Sequence, residues 1–183
     1  MLGRVRDTMI LLGCSGLIVA LDQWTKYLVR SQLGVGETWM PLAWLAPYAR
    51  VIHWNNTGAA FGLFPSASPV FTVVALLVSV AILIYFPRVP ASQWPLRAAL
   101  ILQFAGALGN LIDRLVLGTV TDFISVGTFP VFNLADASIS VGVAVLVAGM
   151  WLEDRRRPRD AGSPVEAGET HRPDRGLTEP PTG

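Results

Sequence analysis

The sequence predicts an all-α membrane protein with four transmembrane helices, both termini cytoplasmic, and a small β-like and amphipathic segment outside the membrane. Three observations lead there. The 183 residues are 52% hydrophobic with a mean hydropathy of +0.49, and only 15% are charged, where a soluble domain carries about a quarter. The charges are segregated, with only eleven in residues 8–152 and thirteen from residue 153 onward. Four apolar runs are long enough to cross about 30 Å of hydrocarbon, which takes roughly 20 residues at about 1.5 Å each. A soluble enzyme is excluded by this balance, and a net charge of +1 gives no electrostatic reason to expect a nucleic-acid partner.

The runs cover residues 9–28, 69–86, 96–117 and 132–152. The first carries Asp22 and Lys26 near its C-terminal end, the third Asp113 and Arg114, and the fourth Asn133 and Asp136 in its opening turns; only the second is free of such interruptions. Cys14 follows Leu11-Leu12-Gly13, an arrangement like a lipobox. The apolar run before it is short and continues past it to Leu21, so the reading is a membrane helix containing a cysteine. One cysteine also excludes an intramolecular disulfide and a thiolate zinc site.

Orientation follows from the distribution of basic residues. In a four-span arrangement Arg4, Arg6, Arg88, Arg97, Arg155, Arg156, Arg157 and Arg159 fall on one side, and Lys26, Arg30, Arg50 and Arg114 on the other. Segments 29–68 and 118–131 then face outward. Within the first, Trp39, Met40, Leu42, Trp44, Leu45 and Tyr48 are suited to the headgroup level, and residues 51–64 mix β-branched and aromatic residues with Gly58 and Gly62, a pattern for short strands and a tight turn. Residues 1–152 thus form the membrane domain. Residues 153–183, rich in Pro, Gly and charge, read as a disordered cytoplasmic tail. There is no internal repeat.

This topology brings Asp22, Lys26, Asn110, Asp113, Arg114, Asp122, Asn133 and Asp136 to the outer leaflet. Ionisable groups at membrane depth are costly by about 2.5–3.5 kcal/mol each and are read as functional by default. Bland readings exist for some. Asp22 and Lys26 at i and i+4 make an intrahelical pair, Arg114 fits an interface anchor, and Asn110 and Asn133 fit interhelical hydrogen bonds. Asp122 and Asp136 have apolar neighbours and no nearby Lys or Arg in sequence. Two such carboxylates brought together in low dielectric share a proton, which leaves one as base and the other as acid near neutral pH.

Other chemistries lack parts. His53 and His171 are the only histidines, so a histidine metal site or a Ser-His-Asp triad has no support, and no HExxH, Walker A or dinucleotide fingerprint is present. A carboxylate-only Mg²⁺ site from the same aspartates stays open as a competitor. So do two other classes. A small transporter with a proton relay would spread its acidic groups through the membrane depth, and a non-catalytic scaffold would tolerate replacement of Asp122 and Asp136.

Five strings carry a resemblance: D-Q-x-x-K at Asp22, Gln23 and Lys26; N-x-G-A-A-F-G at Asn56, Gly58, Ala59, Ala60, Phe61 and Gly62; G-N-x-I-D-R from Gly109 to Arg114; G-x-V-x-D-F at Gly118, Val120, Asp122 and Phe123; and F-N-x-A-D at Phe132, Asn133, Ala135 and Asp136. In this order, over about residues 9–152, they resemble the bacterial lipoprotein signal peptidases, signal peptidase II. The resemblance implies a four-helix intramembrane aspartic peptidase of the cell membrane that cuts a prolipoprotein before a diacylglyceryl-modified cysteine. It implies Asp122 and Asp136 as the catalytic dyad. Asn56, Gly58, Asn110, Arg114 and Asn133 would orient dyad and substrate, and Asp22, Lys26 and Asp113 would hold the site together. The outer segment would form a cradle and lid. No cofactor is expected, the partners are prolipoproteins and membrane lipids, and a single bundle suffices, so a monomer is expected.

Overall fold

The computed structural model describes residues 2–42, 44–58 and 67–156. In chain order these form α1 (Leu2–Gln32), β1 (Thr38–Trp39), β2 (Ala49–Asn56), α2 (Ser68–Tyr85) with a 3-10 turn (Phe86–Arg88), α3 (Trp94–Leu117), β3 (Val120–Val126) and α4 (Leu134–Arg156).

Local sequence sets the helix ends. Proline stands in the first turn of α2 and α3, where its missing N–H leaves no helical bond unmade. Gly118 ends α3 with φ 77°, a left-handed cap that a side chain would strain. α4 starts from a reciprocal cap. Asn133 Oδ1 accepts the Asp136 N–H at 2.9 Å, and Asp136 Oδ2 accepts the Asn133 N–H at 3.3 Å, the geometry of a capping box.

Contacts fix the helix directions. Ser15 Oγ donates to Ile101 O and Gln23 Nε2 to Gly109 O, an equal spacing on both helices, so α1 and α3 run parallel. Ser138 Oγ reaches Leu102 O while Asn110 reaches Asp136, so α4 is antiparallel to α3. Ser68 Oγ bonds Gly118 O at one end of α2, and the Arg97 guanidinium lies over the Phe86 ring, 4.4 Å from its centroid, at the other; α2 is therefore antiparallel to α3 as well. One end of the bundle gathers Arg97, its 3.0 Å ion pair with Asp7, and Arg88. The other gathers the sheet.

The apolar core is a cluster of Leu11, Ile82, Phe86 and Phe104. α3 and α4 approach closely at Gly106, where a Cβ would stand 2.4 Å from Ala135 O. α2 and α4 both lie on α3 and scarcely touch each other, and their outer faces expose Val70, Val73, Leu77, Val141 and Val147, an apolar surface of the kind that lipid covers. By length and composition, three helices among the described residues could cross a membrane: Ser68–Arg88, Trp94–Leu117 and Leu134–Arg155. α1 is longer, at 31 residues, and buries Asp22 and Lys26 inside the bundle.

The structure departs from the sequence reading at the ends of α1 and α4 and in the sheet. α1 extends beyond residues 9–28 at both ends, and α4 begins two residues later than expected, because Asn133 is spent on the cap. Residues 153–156, assigned to the tail, continue α4. Of residues 51–64, read as short strands with a tight turn, the part up to Asn56 belongs to β2, and 59–64 lie outside the described residues. β2 is the centre of an antiparallel sheet ordered β1-β2-β3, with Thr38 opposite Ile52 and Asn56 opposite Val120; β3, from the outward-facing segment 118–131, takes up the ladder bonds that β2 offers on its second edge. Ala59, Ala60, Phe61, Gly62 and Phe64, and the tail from residue 157 with His171, lie outside the described residues.

Candidate active site

The site grows from one face of α1. Asp22, Lys26 and Arg30 recur every four residues and so project on one side of the helix. Lys26 is wholly buried. Its ammonium meets Asp22 Oδ2 at 2.9 Å, Asp113 Oδ2 at 3.2 Å and Asn110 Oδ1 at 3.0 Å, which uses all three of its donors. Asp22 Oδ1 accepts the Ala135 N–H at 2.9 Å, so α1 also supplies an anion to the N-terminus of α4. Gln23 bonds both Asp22 and Asp113. This depth of polar contact requires glycine at position 109, since a Cβ there would come within 2.7 Å of Asp22 Oδ2.

Two asparagines carry the network onward. Asn110 accepts from Lys26 and donates through Nδ2 to Asp136 Oδ1 at 2.7 Å. Asn133, its Oδ1 fixed by the α4 cap, turns Nδ2 to Asp122 Oδ1 at 2.6 Å and Asn110 Oδ1 at 3.1 Å. From the sheet, Asn56 Nδ2 donates to Asp122 Oδ2 at 3.0 Å while its Oδ1 accepts the Gly58 N–H at 2.9 Å. The turn at Gly58 therefore orients the Asn56 amide. Asp122 and Asp136, 14 residues apart and on different elements, end up joined through Asn133.

Asp122, Asp136, Asn56, Gly58 and Arg114 line a cleft of about 670 Å³ whose remaining wall is apolar, with Phe71 of α2 facing Ile139 and Val141 of α4. Its walls come from both α2 and α4. Arg114 lies with its guanidinium 5.6 Å from the Phe71 ring centroid, within the field of Asp136, Asp122 and Asp113. Its neighbour Asp113 points the other way, into the Lys26 lattice, as adjacent helical residues must. Burial pushes the Asp122 carboxyl from 3.8 up to about 7; the Asp136 charge adds to the rise, and the Asn56 and Asn133 amides and the Lys26 charge oppose it. Among the described residues, neither Asp122 nor Asp136 has a Lys or Arg in ion-pair contact.

All ten residues singled out in the sequence are thus at one end of the bundle, in two connected groups: Asp22, Lys26 and Asp113 around the ammonium, and Asp122, Asp136 and Arg114 around the cleft, with the asparagines between and Gly58 behind Asn56. Arg30 and Thr121 escaped the sequence reading, which counted Arg30 only as an outer charge. Arg30 Nη1 bonds Thr121 Oγ1 at 3.0 Å and stands 3.7 Å from Asp113 Oδ1. The signal was the continuation of the Asp22, Lys26 spacing by four more residues. No group of three or more His, Cys, Asp or Glu side chains fit to hold a metal ion occurs among the described residues. The carboxylates that come together are already engaged by amides and by Lys26.

Residues 14–152 match the family described as signal peptidase (SPase) II. The lipoprotein signal peptidase of Moorella thermoacetica is 41% identical over 130 residues, covering 71% of this chain and 85% of that protein. The lipoprotein signal peptidase of Acinetobacter baumannii is 35% identical over 164 residues, with 84% and 89% covered. A bacterial membrane enzyme solved by the in meso method at 2.3 Å resolution superposes with a TM-score of 0.73 at 27% identity, over 84% of this chain and 94% of that one. The match spans α1 from Cys14, the sheet, the cleft and α4 to Leu152, and with it the chain belongs to the signal peptidase II family.

Proposed function

We propose that this multi-pass bacterial membrane peptidase, which removes signal peptides from prolipoproteins, is an aspartic endopeptidase that cuts before a diacylglyceryl-modified cysteine with water activated by Asp122 and Asp136. The observation that carries the reading is two carboxylates in one cleft, hydrogen-bonded by amides and, among the described residues, without a Lys or Arg in ion-pair contact. Such a pair holds one proton between two acids. One carboxylate takes a proton from water as it attacks the scissile carbonyl, and the other donates to the developing oxyanion. Asn56 and Asn133 keep Asp122 oriented, Asn110 and the α4 cap keep Asp136 oriented, and Arg114 is placed to bind the substrate backbone. Asp22, Lys26 and Asp113 hold α1, α3 and α4 in the register that the dyad needs.

Four spans with both termini cytoplasmic are supported by the parallel α1 and α3 and by the arginines at one end of the bundle. The cleft then lies near the extracytoplasmic face. The exposed Trp39, Leu42, Trp44 and Tyr48 sit at headgroup level, and the apolar walls that α2 and α4 give the cleft let the diacylglyceryl group stay in lipid. One chain supplies every residue of the site, so a monomer suffices. Residues 1–152 are the working domain.

The test is cleavage of a diacylglyceryl-modified prolipoprotein by purified protein beside Asp122→Asn and Asp136→Asn. Both variants lose turnover on this reading, and near-wild-type turnover in either one sinks the dyad. Activity that survives exhaustive chelation removes the Mg²⁺ alternative, whereas loss restored by Mg²⁺ replaces the dyad mechanism with it. A reporter fused after Leu152 reads cytoplasmic; an exterior readout there rejects the topology.

A further inference from the structure

Resting on the dyad reading, we propose that Arg30 is a positioning residue for Asp122 that acts through Thr121. The two are consecutive residues of β3, and in a strand consecutive side chains point to opposite faces. Asp122 faces Asn56 and Asn133, while Thr121 faces α1 and α3 and is fully buried. Its hydroxyl accepts from Arg30 Nη1 at 3.0 Å, and its N–H donates to Asp113 Oδ2 at 3.0 Å. The residue that precedes Asp122 in β3 is therefore held by two side chains that belong to different helices. On the front face, only two amides restrain the carboxylate.

The charge pattern explains why a second cation is present. Asp22 and Asp113 bring two negative charges to one lysine, and Arg30 approaches the outer oxygen of Asp113 at 3.7 Å. A single guanidinium nitrogen thus reaches both the carboxylate and the threonine hydroxyl. It links the charge balance of the lattice to the placement of β3. Arg30 does not line the cleft, so its removal leaves substrate contacts alone and acts on the turnover step.

The experiment is a kinetic cycle of Arg30→Met, Thr121→Val and the double variant in the full-length protein, with Asp122→Asn alongside. The expected outcome is a three- to tenfold fall in kcat for each single variant, with KM within twofold of wild type. The double variant falls no further than the worse single one, because both remove one contact. Thr121→Ser, which keeps the acceptor, recovers most of the kcat lost in Thr121→Val. Wild-type kcat in both single variants, with or without a lowered melting temperature, overturns the inference, as do losses that multiply in the double variant. If Asp122→Asn is inactive while the cycle is flat, this inference alone fails. If Asp122→Asn is active, the dyad reading fails and takes the inference with it.

Discussion

Two pairs of aspartates lie at the same end of the bundle, all buried but the half-buried Asp136, and their oxygens are satisfied in opposite ways. Asp22 and Asp113 share the ammonium of Lys26, with Arg30 and Gln23 filling in behind. Asp122 and Asp136 share only amides: Asn133 and Asn56 on the first, Asn110 and the α4 cap on the second. Lys26 locks the geometry of the first pair through direct ion pairs. Amide donors satisfy the oxygens of the second pair without a countercharge, and burial raises the proton affinity of Asp122 against them.

The largest expected effect breaks the second pair. Asp136→Asn keeps the shape of the side chain and removes its acid–base chemistry, and turnover of a lipidated substrate falls roughly a hundred- to ten-thousand-fold with the helical circular dichroism unchanged. Breaking the first pair has the opposite profile. Lys26→Met leaves two buried carboxylates uncompensated, and denaturation in detergent should show a loss of about 3–5 kcal/mol; a melting curve equal to wild type would remove Lys26 as the pivot of the lattice.

Asp122 also makes stability depend on pH. Asp122 keeps its proton in the folded chain up to about pH 7, whereas an unfolded aspartate gives it up near 3.8. The folded state therefore binds the extra proton in between. Its contribution to stability is fully present below about pH 4, declines on the order of a few kcal/mol as pH rises to about 7, and stays flat above. Stability curves of Asp122→Asn should lack that slope. A smaller change comes from Asn133→Ala, which removes the N-cap of α4, for about 0.5–2 kcal/mol, together with one donor to Asp122; activity should drop about tenfold, and a drop no larger than that of an ordinary cap mutant would separate the two roles. The smallest belongs to a polar atom outside both pairs. Ser79 Oγ is buried in α2 without a hydrogen-bond partner, so Ser79→Ala should leave stability within about 0.5 kcal/mol or raise it slightly.

Asp22, Asp113 and Asp136 were visible in the sequence because each interrupts an apolar run, and Asp122 because its immediate neighbours are apolar and offer no basic partner. Their grouping at one end followed from helix directions and loop lengths alone. The Asp22–Lys26 pair was legible from its i,i+4 spacing. That Asp113 joins it was not, because this depends on how α1 and α3 pack, and Lys26 and Asp113 are 87 positions apart. The sheet was hidden for the same reason: β2 and β3 are separated by two helices, and a strand's partner cannot be read from its own alternation. Asn133 was legible as a polar residue opening α4, and its role as cap follows from the Asn-x-x-Asp spacing. Arg30 was masked by its place near a helix end, where a basic residue has an ordinary reason to be.

The apolar walls that α2 and α4 give the cleft bear on the units in which substrate is counted. On the proposed function a lipidated substrate reaches those walls from the membrane, so occupancy follows the mole fraction of substrate among lipid or detergent molecules, and bulk molarity is the wrong variable. Adding empty micelles at constant substrate concentration should slow the reaction, and adding buffer should not. For such a molecule, crowding of the membrane by other signal-bearing chains is itself a form of competitive inhibition.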